Sequence, residues 1–130
     1  MLTSLPALLG LTILLGVFHV LLAGMLGTAS RGPAWNASNR DGQPPPLGTH
    51  AARADRASKN FLETFVFFAA AVVCAIAVNH DGTRAVLGAQ IYFFARLAYL
   101  PIYVIGIPYV RSLVWAVALI GILMVVSVLF

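Results

Sequence analysis

The residues able to do chemistry in this chain gather in two short stretches. The first is Arg53-Ala54-Asp55-Arg56-Ala57-Ser58-Lys59-Asn60-Phe61-Leu62-Glu63-Thr64, which holds three of the eight cations and two of the four acids. Read as a helix, it puts Arg53, Arg56, Asn60 and Glu63 on one face, because residues three and four apart stack along a helix. The second contains Tyr92, Arg96, Tyr99 and Tyr103, spaced four, three and four apart, and continues to Arg111-Ser112. Arg53, Arg56, Lys59, Arg96 and Arg111 together suit an anion, since arginine forks hold carboxylates and phosphates bidentately. Glu63 complements an ammonium or fixes an arginine. Asn60 both donates and accepts, and Tyr99 and Tyr103 donate to a developing anion. Such a set suits a small zwitterion with several carboxylates, or a lipid head group. Plainer readings stand beside this one. Arg53, Arg56 and Lys59 also serve as a juxtamembrane charge cluster, a tyrosine stripe also packs, and Glu63 with Arg96 also makes an ion pair between two helices.

The elements that must position these residues follow from composition. Of 130 residues, 61% are hydrophobic and only 9% charged, against about 25% in a soluble domain. The chain cannot cover a water-facing surface and belongs in a bilayer as an all-α integral membrane protein. At about 20 residues per crossing, one domain over 1–130 accommodates four spans. The expected spans are about 5–26, 57–78, 84–104 and 112–130, with a polar loop at about 27–52. The apolar run after Met1 lacks a basic leader and is too long for a signal sequence, so it reads as a retained first span. The loop carries Pro44-Pro45-Pro46, which excludes helix there, and Asn36-Ala37-Ser38, a glycosylation pattern only if it faces a secretory lumen. Pro101 is expected to kink span three. Tyr109 and Trp115 suit interfacial anchoring.

Several function classes are excluded. No nucleotide-binding glycine pattern, zinc-ligand spacing or nucleophile elbow occurs. His80-Asp81 lacks further metal ligands nearby, so no metal site is expected. Cys74, the single cysteine, reads as a small core residue, and His19 as a neutral histidine bonded within the bundle. The net charge of +4 sits beside apolar spans and reports topology rather than nucleic acid. Arg31, Arg40, Arg53, Arg56, Lys59 and Arg111 fall on one side of the membrane, and only Arg84 in the second loop. The positive-inside rule then puts the first and third loops in the cytoplasm and both termini opposite.

With these residues in place, the chain resembles the MAPEG family, the membrane-associated proteins of eicosanoid and glutathione metabolism. Arg56-Ala57, Asn60 and Glu63 match that family's Arg-Ala, Asn and Glu pattern. Arg96-Leu97-Ala98-Tyr99-Leu100-Pro101-Ile102-Tyr103 and Arg111-Ser112 match its second conserved region. The length, the four spans and the long first loop agree. Two departures appear. Thr64-Phe65-Val66 replaces the proline many members carry after the Glu, so span two is expected to bend less. Pro101, between Tyr99 and Tyr103, resembles the bacterial branch rather than the eicosanoid-type members.

The resemblance implies a four-transmembrane-helix bundle assembling as a homotrimer, with sites between protomers. It implies glutathione as co-substrate, and membrane lipid and a hydrophobic electrophile as further partners. Arg56, Asn60, Glu63, Tyr99 and Tyr103 match family glutathione-binding positions, and Arg53, Arg96 and Ser112 lie where the family also places site residues. Arg111 resembles the arginine that stabilises the thiolate, and Arg31 resembles a further catalytic arginine. The implied activity is a transferase or peroxidase acting on hydrophobic electrophiles. The family also includes a fatty-acid-binding member without catalysis, so a non-catalytic lipid-binding or structural membrane role is the alternative.

Overall fold

The computed structural model describes residues 2–130, and every element among them is helical. In order these are α1 (Leu5–Arg31), the short α2 (Pro33–Ala37), α3 (Thr49–Ala77), α4 (Thr83–Ile105), α5 (Pro108–Val126) and a closing 3-10 turn (Ser127–Leu129). Four of them, α1, α3, α4 and α5 with its turn, are long and apolar enough to cross a bilayer. The expected all-α four-helix membrane architecture is therefore present.

Helix boundaries follow local chemistry. Pro6 and Pro108 lie in the first turns of α1 and α5, where a missing N–H costs nothing. Gly32 ends α1 at φ 90°, and Pro33 begins α2 directly after it. The Pro44–Pro46 run lies outside any helix, and α3 begins just beyond it at Thr49. The segment expected to lack regular structure is thus shorter than 27–52. It loses residues to α1 at one end and α3 at the other, and holds α2 between them. Pro101 does not end α4, which runs through it to Ile105.

Packing depends on small residues, as expected where lipid removes the hydrophobic drive between helices. α4 packs most extensively on α5. At their crossing Gly88 meets Gly121, and a Cβ on Gly121 would lie 2.7 Å from the Gly88 carbonyl oxygen. Leu5, Leu8, Phe68, Val72, Tyr92, Ile122 and Val125 form the main core. A smaller cluster of Ala57, Tyr99 and Leu100 lies at the other end. Cys74 is exposed on α3 rather than in the core. Its helix positions alternate between inward and outward faces, and composition alone does not tell them apart. His80 Nδ1 donates to the Val128 carbonyl at 2.6 Å, tying the 79–82 turn to the C-terminal end.

Candidate functional site

The start of α3, the end of α4 and the start of α5 meet at one end of the bundle. There they enclose a cleft of about 470 Å³. Arg56, Lys59, Asn60 and Glu63 come from α3, Tyr99 and Tyr103 from α4, and Arg111, Ser112 and Trp115 from α5. The helical period delivers them: the first and last of the α3 set are two turns apart on one face, and each of the other helices supplies residues within one turn.

Tyr103 is the hub of the arginines. Its hydroxyl accepts from Arg56 Nε at 3.3 Å, and the Arg111 guanidinium lies 4.8 Å from its ring centroid. Tyr99 adjoins it, with ring centroids 5.4 Å apart. The continuous helix through Pro101 keeps both tyrosines on the cleft side of α4. Lys59 makes an exposed ion pair with Asp55 at 2.8 Å, an interaction of about 0–1 kcal/mol at most. Its ammonium is thus available to the cleft. Glu63 is exposed on the same wall.

Two residues expected at the ligand lie elsewhere. Arg53 reaches the end of α4, where its Nη1 donates to the carbonyls of Val104 at 3.2 Å and Ile105 at 2.9 Å. His50 Nδ1 also donates to Val104, at 3.2 Å. The Arg53 cation there satisfies carbonyls left over at a helix C-terminus and complements its dipole. Gly106 follows at φ 94°, a left-handed conformation that favours glycine, and a Cβ on it would push the Arg53 guanidinium aside. Arg96 is fully buried behind the cleft. It donates to Asn60 Oδ1 at 2.9 Å, to the Asn60 carbonyl at 3.3 Å and to Thr64 Oγ1. Thr64 in turn shares a 3.1 Å hydrogen bond with the Tyr92 hydroxyl.

The ion pair of Glu63 with Arg96, the plainer reading of these two residues, is not formed; among the described residues the only salt bridge is Lys59–Asp55. Glu63 points away from the bundle interior that Arg96 occupies, while Asn60 and Thr64, one turn apart on α3, take the guanidinium instead. His19 is buried, donates from Nδ1 to the Leu15 carbonyl at 2.9 Å and packs 4.5 Å from the Phe61 ring. It is not in the cleft lining.

Arg31 lies in a second, smaller cleft of about 300 Å³ with Trp35, Arg40, Asp55 and Ser58. Its Nε donates to the Pro45 carbonyl at 2.8 Å. Sequence reasoning missed Trp115 as a wall of the main cleft and Thr64 as a support for Arg96. Spacing held the signal for both: Trp115 is one turn from Arg111, and Thr64 one turn from Asn60. Among the described residues no group of three or more His, Cys, Asp or Glu is placed to hold a metal ion.

Four long apolar helices with a polar, cationic cleft at one end define a multi-pass integral membrane protein. The model of the MAPEG family matches residues 5–130, and the chain belongs to that family. Membership gives it a membrane role connected with glutathione or lipid metabolism. No curated protein and no solved structure matches the chain.

Proposed function

We propose that the protein is a glutathione-dependent transferase or peroxidase acting on hydrophobic electrophiles. The observation that carries this reading is the gathering of Arg56, Lys59, Asn60, Glu63, Tyr99, Tyr103 and Arg111 around one cleft. The donor set matches glutathione's charges: two carboxylates, one ammonium and a thiol. The cleft volume lies within the range of about 300–1,000 Å³ usual for small-molecule sites. Arg56 and Lys59 would hold the carboxylates and Glu63 the ammonium. Asn60 would donate from its free amide N–H groups and Tyr99 from its hydroxyl. Arg111, over the Tyr103 ring, would stabilise the thiolate, with Ser112 beside it. When bound, glutathione supplies a sulfur nucleophile that bonds to an electrophilic carbon while the leaving group takes the electron pair, or reduces a hydroperoxide with a second glutathione completing the disulfide. A cation near the sulfur raises the thiolate fraction, and the thiolate is the reacting form. Trp115 and the exposed apolar face of α5 would give the electrophile a route from the bilayer.

Three further parts belong to the same reading. The protomers assemble as a homotrimer, so that Glu63 and the exposed apolar surface face neighbours; a native mass of one or two copies would remove this part. Arg31 acts at a neighbouring protomer's cleft. The cleft end of the bundle lies in the cytoplasm and both termini opposite.

The deciding experiment is isothermal titration of glutathione into the protein in detergent. Binding at or below millimolar concentration is expected; none at that concentration sinks the reading. Lipid that co-purifies in the cleft, with no thiol-dependent turnover, would favour the non-catalytic lipid-binding alternative.

A further inference from the structure

Arg96 is the largest of the fully buried side chains, and every group that accepts from it is neutral. No acid lies within ion-pair distance of it among the described residues. Its guanidinium instead lies against aromatic rings, 5.0 Å from the centroid of Tyr99, 5.7 Å from Tyr92 and 6.0 Å from Phe61. If its work were only to join α3 to α4, a neutral side chain would do so with a smaller desolvation penalty. A full charge with neutral acceptors is not cancelled locally, and in a low-dielectric bundle its field reaches far. Two of its partners, Asn60 and Tyr99, are themselves cleft walls. Arginine only donates, so the Asn60 amide must turn its oxygen inward to Arg96. That leaves both amide N–H donors for the cleft.

We infer that Arg96 is a positioning residue that never touches the ligand: from behind the wall it orients Asn60 and Tyr99 and holds an uncancelled positive charge that selects an anion as the cleft's occupant. The ionisable groups around it and around its neighbour Tyr99 are Glu63 on α3, Tyr92, Tyr99 and Tyr103 on α4, Arg111 on α5, and His19 on α1, which also packs on Phe61. Only Glu63 among them is acidic in its ordinary ionised form, and it lies on the open face of α3. The identity of the anion, a glutathione thiolate, rests on the proposed function; the charge selection does not.

The test reads the field without glutathione. In the full chain in detergent, Cys74→Ala removes the native thiol and Ser112→Cys places a reporter thiol in the cleft. The rate of its alkylation by iodoacetamide is followed against pH. Adding Arg96→Gln, which keeps a hydrogen-bonding side chain and removes the charge, is expected to move the midpoint upward and slow alkylation at neutral pH about tenfold. Arg96→Lys, which keeps the charge and loses the fork, is expected to hold the midpoint. With Ser112 and Cys74 restored, both variants are expected to raise KM for glutathione, because neither reproduces the grip on Asn60 and Thr64. An unmoved midpoint in Arg96→Gln overturns the inference, and so does a tenfold slowing in Arg96→Lys should the glutamine variant fail to fold. A shifted midpoint in a protein that binds no glutathione sinks the glutathione reading alone. Glutathione turnover with an unmoved midpoint sinks the role of Arg96 alone.

Discussion

At the scale of the residue, the arginines divide by what each guanidinium meets. Arg53 meets backbone carbonyls at the end of α4, Arg96 meets Asn60 and Thr64 in the interior, and Arg56 and Arg111 meet the two sides of the Tyr103 environment at the cleft. Arg111 contacts an aromatic ring rather than an acid, so its charge remains available to an anion. Arg111→Ala is therefore expected to keep glutathione binding within a few-fold while lowering kcat about 10²-fold or more, the usual loss when one preorganised charge-stabilising donor is removed. Titration calorimetry and steady-state conjugation rates check the two halves separately. Loss of binding with kcat retained would reduce Arg111 to a binding role. Spacing alone made Arg56, Asn60 and Glu63 legible as one face, because helical period is a local property. It did not separate Arg96 from Arg56, because the depth of a side chain depends on which helix lies opposite.

At the scale of the element, the cleft depends on how closely α4 and α5 approach. Tyr103 and Arg111 sit on different helices, on either side of the short turn at Gly106 and Ile107, and the same two helices approach closely again at Gly88 and Gly121. A methyl on Gly121 would lie 2.7 Å from both the Gly88 carbonyl oxygen and the Tyr92 nitrogen, which are backbone atoms with little room to yield. Gly121→Ala is thus expected to cost about 1–3 kcal/mol through overpacking and to lower the melting temperature in detergent. Gly24→Ala, where nothing lies within 4 Å, is the contrasting change. It is expected to be neutral or to stabilise by up to about 1 kcal/mol through helix propensity. Equal melting temperatures for the two variants would show that the crossing is looser than described. Both helices were legible as apolar runs. The close approach was not, since a glycine inside an apolar helix looks the same whether it faces lipid or another backbone.

At the scale of the whole molecule, charge is distributed unevenly between the two ends. Arg31, Arg40, Arg53, Arg56, Lys59 and Arg111 lie toward the cleft end, and Arg84 toward the other. The proposed orientation, with the cleft in the cytoplasm, rests on this asymmetry through the positive-inside rule. In a Cys74→Ala background, Ser38→Cys is expected to react with a membrane-impermeant maleimide only from the cytoplasmic side, and Thr83→Cys only from the opposite side. The reverse pattern would invert the topology and place the cleft outside the cell's reducing glutathione pool. The same uneven charge leaves broad apolar faces, including Leu14, Phe18, Phe67 and Leu123, exposed in the single chain. Those faces need lipid or neighbouring protomers.

The sequence by itself determined that this is an all-helical, four-span membrane protein of the MAPEG family. Hydrophobic run length, charge scarcity and the spacing of a few polar residues are properties of the chain that no packing can change. Only the tertiary structure decided which polar residues share a cavity. It set Arg96 behind the wall and Arg53 on a helix end, parted Glu63 from Arg96, and added Trp115 to the lining. The physical reason is that a helical face is fixed by period, whereas the partner of that face is fixed by where another helix crosses it, and small residues such as Gly88 and Gly121 set that crossing without announcing it in composition.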